Sequence, residues 1–132
     1  MKKNLIVEDD QDIAKALSIR LKNAGYEVSV APDAPSGVET AIKKVPDLVL
    51  LDISLLAGNG FIVAERIQSL IPTATPLIFL TASKRPGLRN MAKGPGAVAF
   101  FQKPYEWDDL LETIQLALVG APIVEKWGVY PL

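Results

Sequence analysis

Residues 47–54 read Asp-Leu-Val-Leu-Leu-Asp-Ile-Ser, and no other stretch restricts the fold as much. Between the two aspartates lie four residues drawn only from Leu and Val, too short for a helix with a face and too apolar for a surface. The pattern predicts a central, doubly covered parallel strand. A strand of that kind ends in a carboxylate only where something at the C-terminal edge of the sheet uses it, because an unpaired buried charge is expensive. Asp52 therefore needs a partner. In open α/β sheets the working groups gather just beyond the carboxyl ends of the strands, so the other strand ends decide what that partner is.

The rest of the chain supplies those ends. Leu5-Ile6-Val7 is a second apolar strand that runs straight into Glu8-Asp9-Asp10. Ile13, Ala14, Leu17 and Leu21 then take the spacing of one helical face, stopped at Asn23-Ala24-Gly25. Tyr26 to Val30 alternates as a strand. Asp33 is placed to cap a helix with Pro35 in its first turn and Val38, Ala41 and Ile42 on its inner stripe, and Gly37 weakens that helix by about 1 kcal/mol. After the Asp52 strand, a loop through Asn59-Gly60 leads into Phe61, Ala64, Ile67 and Leu70 at helical spacing. Leu77 to Leu80 is a fourth strand, ending in Thr81. Between Pro86-Gly87 and Gly94-Pro95-Gly96 there is room for a helix of only about six residues, with Leu88 and Met91 to pack it. Ala97 to Phe101 is a fifth strand, ending in Gln102-Lys103-Pro104. A last helix begins at Asp108 or Asp109 and carries Leu110, Leu111, Ile114, Ala117 and Leu118. Strand and helix alternate five times, which predicts an α/β domain with a five-stranded, doubly wound parallel sheet.

Composition limits the chemistry. The 132 residues, 49% of them apolar, suit one compact domain. Fourteen basic against fifteen acidic side chains leave no global field towards nucleic acid or membranes. The chain has no Cys and no His, so thiolate and imidazole chemistry are excluded and carboxylate, hydroxyl and lysine remain. Leu5-Ile6-Val7 falls far short of a signal peptide's apolar region, which makes a cytoplasmic protein the expectation.

The strand ends thus carry Glu8 and Asp9, Asp52, Thr81 and Lys103. Each has an ordinary explanation: the acidic run as a solvated helix start, Thr81 as a strand-end hydroxyl, Lys103 as a loop lysine. If the sheet order brings these strand ends together, they share one pocket. Two carboxylates about 4 Å apart repel by roughly 4 kcal/mol at an effective dielectric of 20, so such a pocket needs a cation, and Mg²⁺ suits hard oxygen donors. A metal beside a carboxylate, a lysine and a hydroxyl can hold the oxygens of a phosphoryl group.

Here the chain resembles the receiver domains of two-component response regulators. The resemblance is carried by Leu-Ile-Val-Glu-Asp-Asp at 5–10, Leu-Val-Leu-Leu-Asp-Ile at 48–53, Phe-Leu-Thr-Ala at 79–82 and Lys-Pro at 103–104, in the family's order across residues 3–119. It implies the flavodoxin-like (βα)5 receiver fold, with Asp52 as phosphoacceptor and Glu8, Asp9, Asp52 and the backbone carbonyl of Ser54 around Mg²⁺. It also implies Thr81 as switch hydroxyl, Phe100 as switch aromatic, Lys103 as phosphate-binding lysine and a cis Lys103-Pro104 bond. The partner implied is a sensor histidine kinase or histidine phosphotransfer protein, and the chain's own chemistry would be limited to gaining and losing its phosphoryl group. No direct contact with nucleic acid or membrane is expected. Three departures stand out. Leu56 replaces a usual proline, Asn59 fits only a looser pattern before the helix glycine, and the helix between strands four and five, at the family's usual output surface, is broken.

Two other readings compete. Haloacid-dehalogenase-like phosphatases also use a strand-end Asp with Mg²⁺, but place a second Asp two residues later, where this chain has Ser54. A nucleotide- or flavin-binding module would need a glycine-rich phosphate loop, which is missing. The expected organisation is a receiver domain over residues 1–119 and a short tail over 120–132, too short for an output domain.

Overall fold

The computed structural model describes residues 1–53, 60–71 and 74–132. Strands β1 (Lys3–Val7), β2 (Glu27–Ala31), β3 (Leu48–Asp52), β4 (Leu77–Thr81) and β5 (Ala99–Gln102) alternate with helices α1 (Gln11–Asn23), α2 (Ala34–Lys44), α3 (Gly60–Leu70), α4 (Leu88–Lys93) and α5 (Trp107–Leu118). A short strand β6 (Val129–Pro131) follows. The sheet order is β2-β1-β3-β4-β5-β6. The first five strands run parallel, and β6 lies antiparallel to β5. It adds to the five strands expected, since three residues ending in proline carry too little alternation to signal a strand.

The period-two alternation of strand side chains builds a core on each face. Leu5, Val7, Val49, Leu51, Leu77 and Phe79 point towards α2, α3 and α4. Ile6, Leu48, Leu50, Ile78, Leu80 and Phe101 point towards α1 and α5. All five residues of β3 are buried, as a centrally placed, doubly covered strand requires.

Local chemistry sets the helix ends. Asp10 caps α1, its Oδ1 accepting from the N–H groups of Asp12 and Ile13 at 3.0 and 3.1 Å. Asp33 caps α2 through the Ser36 N–H at 2.9 Å. That helix ends at Val45, which holds a left-handed φ of 44°, a costly conformation for a β-branched residue.

Three expected packing residues face solvent instead: Ile42, Leu70 and Met91. On α2 the inner stripe runs through Gly37, Val38 and Ala41. A Cβ at Gly37 would come within 3.0 Å of Val7 Cγ1, so its absence lets the helix seat on β1 and turns Ile42 outward. Ile71 is buried just beyond α3. The six-residue α4, as short as its flanking breaks suggest, packs through Leu88 and Ala92, one helical turn apart.

Candidate functional site

The site lies where β1, β3, β4 and β5 end side by side. Register pairs Val7 with Leu51, Asp52 with Leu80 and Thr81 with Gln102, so the residues that follow these positions reach the same edge. In the acidic run the three side chains divide their tasks. Asp10 is committed to the α1 cap. Glu8 is buried and Asp9 half-buried, both at the sheet edge.

Glu8, Asp9 and Asp52 each present one carboxylate oxygen within 4.8 Å of the others. Lys103 enters from the end of β5 and sets its ammonium 3.1 Å from Glu8 Oε1 and 3.4 Å from Asp52 Oδ2. Its backbone N–H donates to the Thr81 carbonyl at 2.7 Å, fixing the start of the loop that delivers it. The bond to Pro104 is cis.

One ammonium against three carboxylates leaves excess negative charge, and the titration of the groups reflects it. Burial, helped by a hydrogen bond to Asp52 and by its charge, pushes the Glu8 carboxyl up to about 7 against the opposing pull of Lys103. Burial alone would lower the Lys103 ammonium, but the charges and hydrogen bonds of Asp52 and Glu8 outweigh it and hold it above the usual lysine range. Three close oxygen donors with surplus negative charge and no nitrogen or sulfur ligand are a donor set that fits a hard divalent cation such as Mg²⁺.

Thr81 is fully buried at the end of β4, and its Oγ1 accepts the Ser83 N–H at 3.0 Å. Phe100 is buried on the α4 side of β5, its ring 6.2 Å from that of Tyr130. Ser54, Leu56 and Asn59 lie outside the described residues. The structure thus gathers Glu8, Asp9, Asp52 and Lys103, with Thr81 and Phe100 set back behind the neighbouring strand ends.

Two further positions bear on the site. A Cβ on Gly60 would lie 2.6 Å from the Asp52 carbonyl oxygen and 2.8 Å from Ile53 Cα, so only glycine lets α3 start directly against the phosphoacceptor candidate's backbone. The Asn59-Gly60 pair marked a turn there, but nothing in it marked this close approach. Gln102 reaches from β5 to the Ser83 carbonyl, its Nε2 donating at 3.1 Å. A glutamine before a lysine carries no signal of such a tie.

Comparison with known proteins identifies the family and the fold. The model of the response regulator receiver domain family matches residues 5–115. The transcriptional regulatory protein DltR of Streptococcus agalactiae is 38% identical over 112 residues, which are 85% of this chain and 50% of that protein. The response regulator ArlR of Staphylococcus saprophyticus is 32% identical over 122 residues, 92% of this chain and 54% of its own length. The chain therefore spans about half the length of these curated relatives. A CheY-like response regulator receiver domain protein from Methanospirillum hungatei superposes with a TM-score of 0.86 at 31% identity, covering 91% of this chain and 95% of that one.

Proposed function

The chain belongs to the response regulator receiver family of two-component systems, and from that footing we propose that Asp52 accepts a phosphoryl group from a histidine of a sensor kinase or phosphotransfer protein. The observation that carries this reading is the single Lys103 ammonium shared by the Glu8 and Asp52 carboxylates at the sheet edge. An Asp52 oxygen attacks phosphorus, the P–N bond of the phosphohistidine breaks, and its electron pair stays on the departing imidazole. Water attack on the same phosphorus later restores Asp52. Glu8, Asp9 and Asp52, with the Ser54 carbonyl, would hold Mg²⁺, and the ion when bound would supply positive charge against the phosphoryl oxygens. Lys103 pairs with one phosphoryl oxygen and the Thr81 hydroxyl donates to another once it leaves Ser83. Phe100 follows Thr81 inward as the switch.

The result is a signalling protein whose only chemistry is on itself. A phosphatase of the dehalogenase type would need a carboxylate two residues beyond Asp52, where the sequence has Ser54. No helix among the described residues is long and apolar enough to cross a membrane. Action in the cytoplasm, on protein partners and without direct contact to nucleic acid or membrane, completes the proposal. Incubation with Mg²⁺ and acetyl phosphate, followed by mass spectrometry, tests it. One base-labile phosphoryl group is expected on the wild type and none on Asp52→Asn; equal labelling of both would remove Asp52 from the role.

A further inference from the structure

Residues 120–132 do not trail from α5. They fold back across the outer edge of β5, with Gln102 N–H donating to the Gly128 carbonyl at 2.9 Å and Leu132 N–H to the Val98 carbonyl at 3.1 Å. Side chains fasten this strap to three elements. Tyr130 lies over Phe100 of β5, and the Arg89 guanidinium of α4 sits 4.5 Å above the Tyr130 ring. Lys126 pairs with Asp109 and Glu112 of α5 at 3.1 and 3.3 Å. Gly128, at a φ of 77°, makes the turn into β6.

We propose that this strap is an intramolecular brake: closed, it favours the unphosphorylated arrangement of the site, and phosphorylation of Asp52 loosens it. The inference rests on the phosphoacceptor reading above. The coupling runs through Gln102. Its backbone N–H is held by the strap at Gly128, while its side chain holds the Ser83 carbonyl, and the Ser83 N–H in turn holds the Thr81 hydroxyl. Movement of that hydroxyl towards a phosphoryl group on Asp52 would pull on the Ser83 N–H it accepts from, and with it on the loop after β4 that Gln102 holds. Phe100 is already buried beneath Tyr130, so a shift of that ring towards Thr81 would draw it from under Tyr130. Both steps of the switch therefore undo contacts that the closed strap makes or supports, which is the differential interaction a coupled equilibrium requires.

The surroundings permit the movement. A cleft of about 250 Å³ lies between the loop after β4 and the strap, bounded by Ser83, Leu88, Arg89, Phe100 and Tyr130. Strap pairing is short, only three residues against β5. Its ion pairs are partly exposed and weak, whereas Val129 is buried in the core on the α1 and α5 side and Tyr130 and Leu132 pack against the other, so the strap loosens at its pairing and its ring contacts while Val129 anchors it.

The chain has no cysteine, so a lock can be introduced cleanly. Ala99 and Pro131 are register partners across β5 and β6, and Ala99→Cys with Pro131→Cys places a disulfide between strap and sheet. Labelling of Asp52 by acetyl phosphate with Mg²⁺ is then followed in the oxidised and reduced forms of this one variant, so that each controls the folding of the other. The oxidised form should label roughly fivefold more slowly or worse, with reduction restoring the rate, and Tyr130→Ala should label faster than wild type. In wild type, beryllofluoride should speed hydrogen exchange at the Gln102 and Leu132 amides. Equal rates in the two redox forms, with wild type labelled normally, would overturn the brake alone. No labelling of Asp52 in wild type would overturn the phosphoacceptor reading and the brake with it.

Discussion

Replacing Asp52 by asparagine in the metal-free protein should change stability with a sign that depends on pH. The carboxylate oxygens of Glu8, Asp9 and Asp52 lie within 4.8 Å of one another, so each repulsion amounts to at least about 3 kcal/mol at an effective dielectric of 20. Lys103, 3.4 Å from Asp52, contributes about 5 kcal/mol of attraction on the same scale. At about pH 8 Glu8, whose pKa is pushed up to about 7, is ionised. Asp52→Asn then removes two repulsions at the expense of one attraction, a net stabilisation of about 2 kcal/mol. At about pH 6 Glu8 keeps its proton, only the repulsion from Asp9 remains, and the substitution destabilises by about 1–2 kcal/mol. Wild-type stability follows the same group. Because the folded pKa of Glu8 lies above its ordinary 4.5, the native state holds a proton that the unfolded chain has released. The contribution is complete below about pH 4.5 and is lost as pH rises through about 7. Urea unfolding in EDTA at low salt, followed by circular dichroism at both pH values, measures the difference. A stability change of the same sign at both would refute the electrostatic account of the pocket.

Gly60→Ala should cost about 2–3 kcal/mol, because the new Cβ meets the backbone of Asp52 and Ile53 and neither can turn aside; thermal unfolding checks it. Val45→Asn should stabilise by about 1 kcal/mol in the same assay, since asparagine tolerates the left-handed φ and Val45, 40% exposed, is no part of either core. Asp9→Ala should lose most Mg²⁺ affinity by calorimetric titration, and an unchanged affinity would put the ion elsewhere. Hydrogen exchange should be faster in α4 than in α1, since six residues are too few to hold a helix without packing; the reverse order would contradict that.

Strand and helix alternation, and the polar group at each strand end, were readable because both are local patterns. The order of the strands was not, since nothing in Leu5-Ile6-Val7 states that it pairs between β2 and β3. Helix faces were read well where large side chains fix them, as at Leu17 and Leu21. They were misread at Ile42, where a missing side chain, Gly37, decides the seating. At the site, the sequence offered Glu8, Asp9, Asp52, Thr81 and Lys103 as residue types. The division of labour between Glu8 and Asp10 depends on one cap, and the ties made by Gln102 and β6 on contacts between segments roughly 20 to 30 residues apart, beyond the reach of a local pattern.

The contact between Lys103 and Glu8 joins residues 95 positions apart. Every other strand-end partner of the pocket lies between them in the chain, so the acidic cluster has its counter-charge only where β5 is docked beside β4. Closing so long a loop costs chain entropy, and the chain without β5 in place would leave the carboxylates without their ammonium. On the phosphoacceptor reading, labelling of Asp52 should therefore require the finished sheet, with β5 in place to bring Lys103 to the carboxylates.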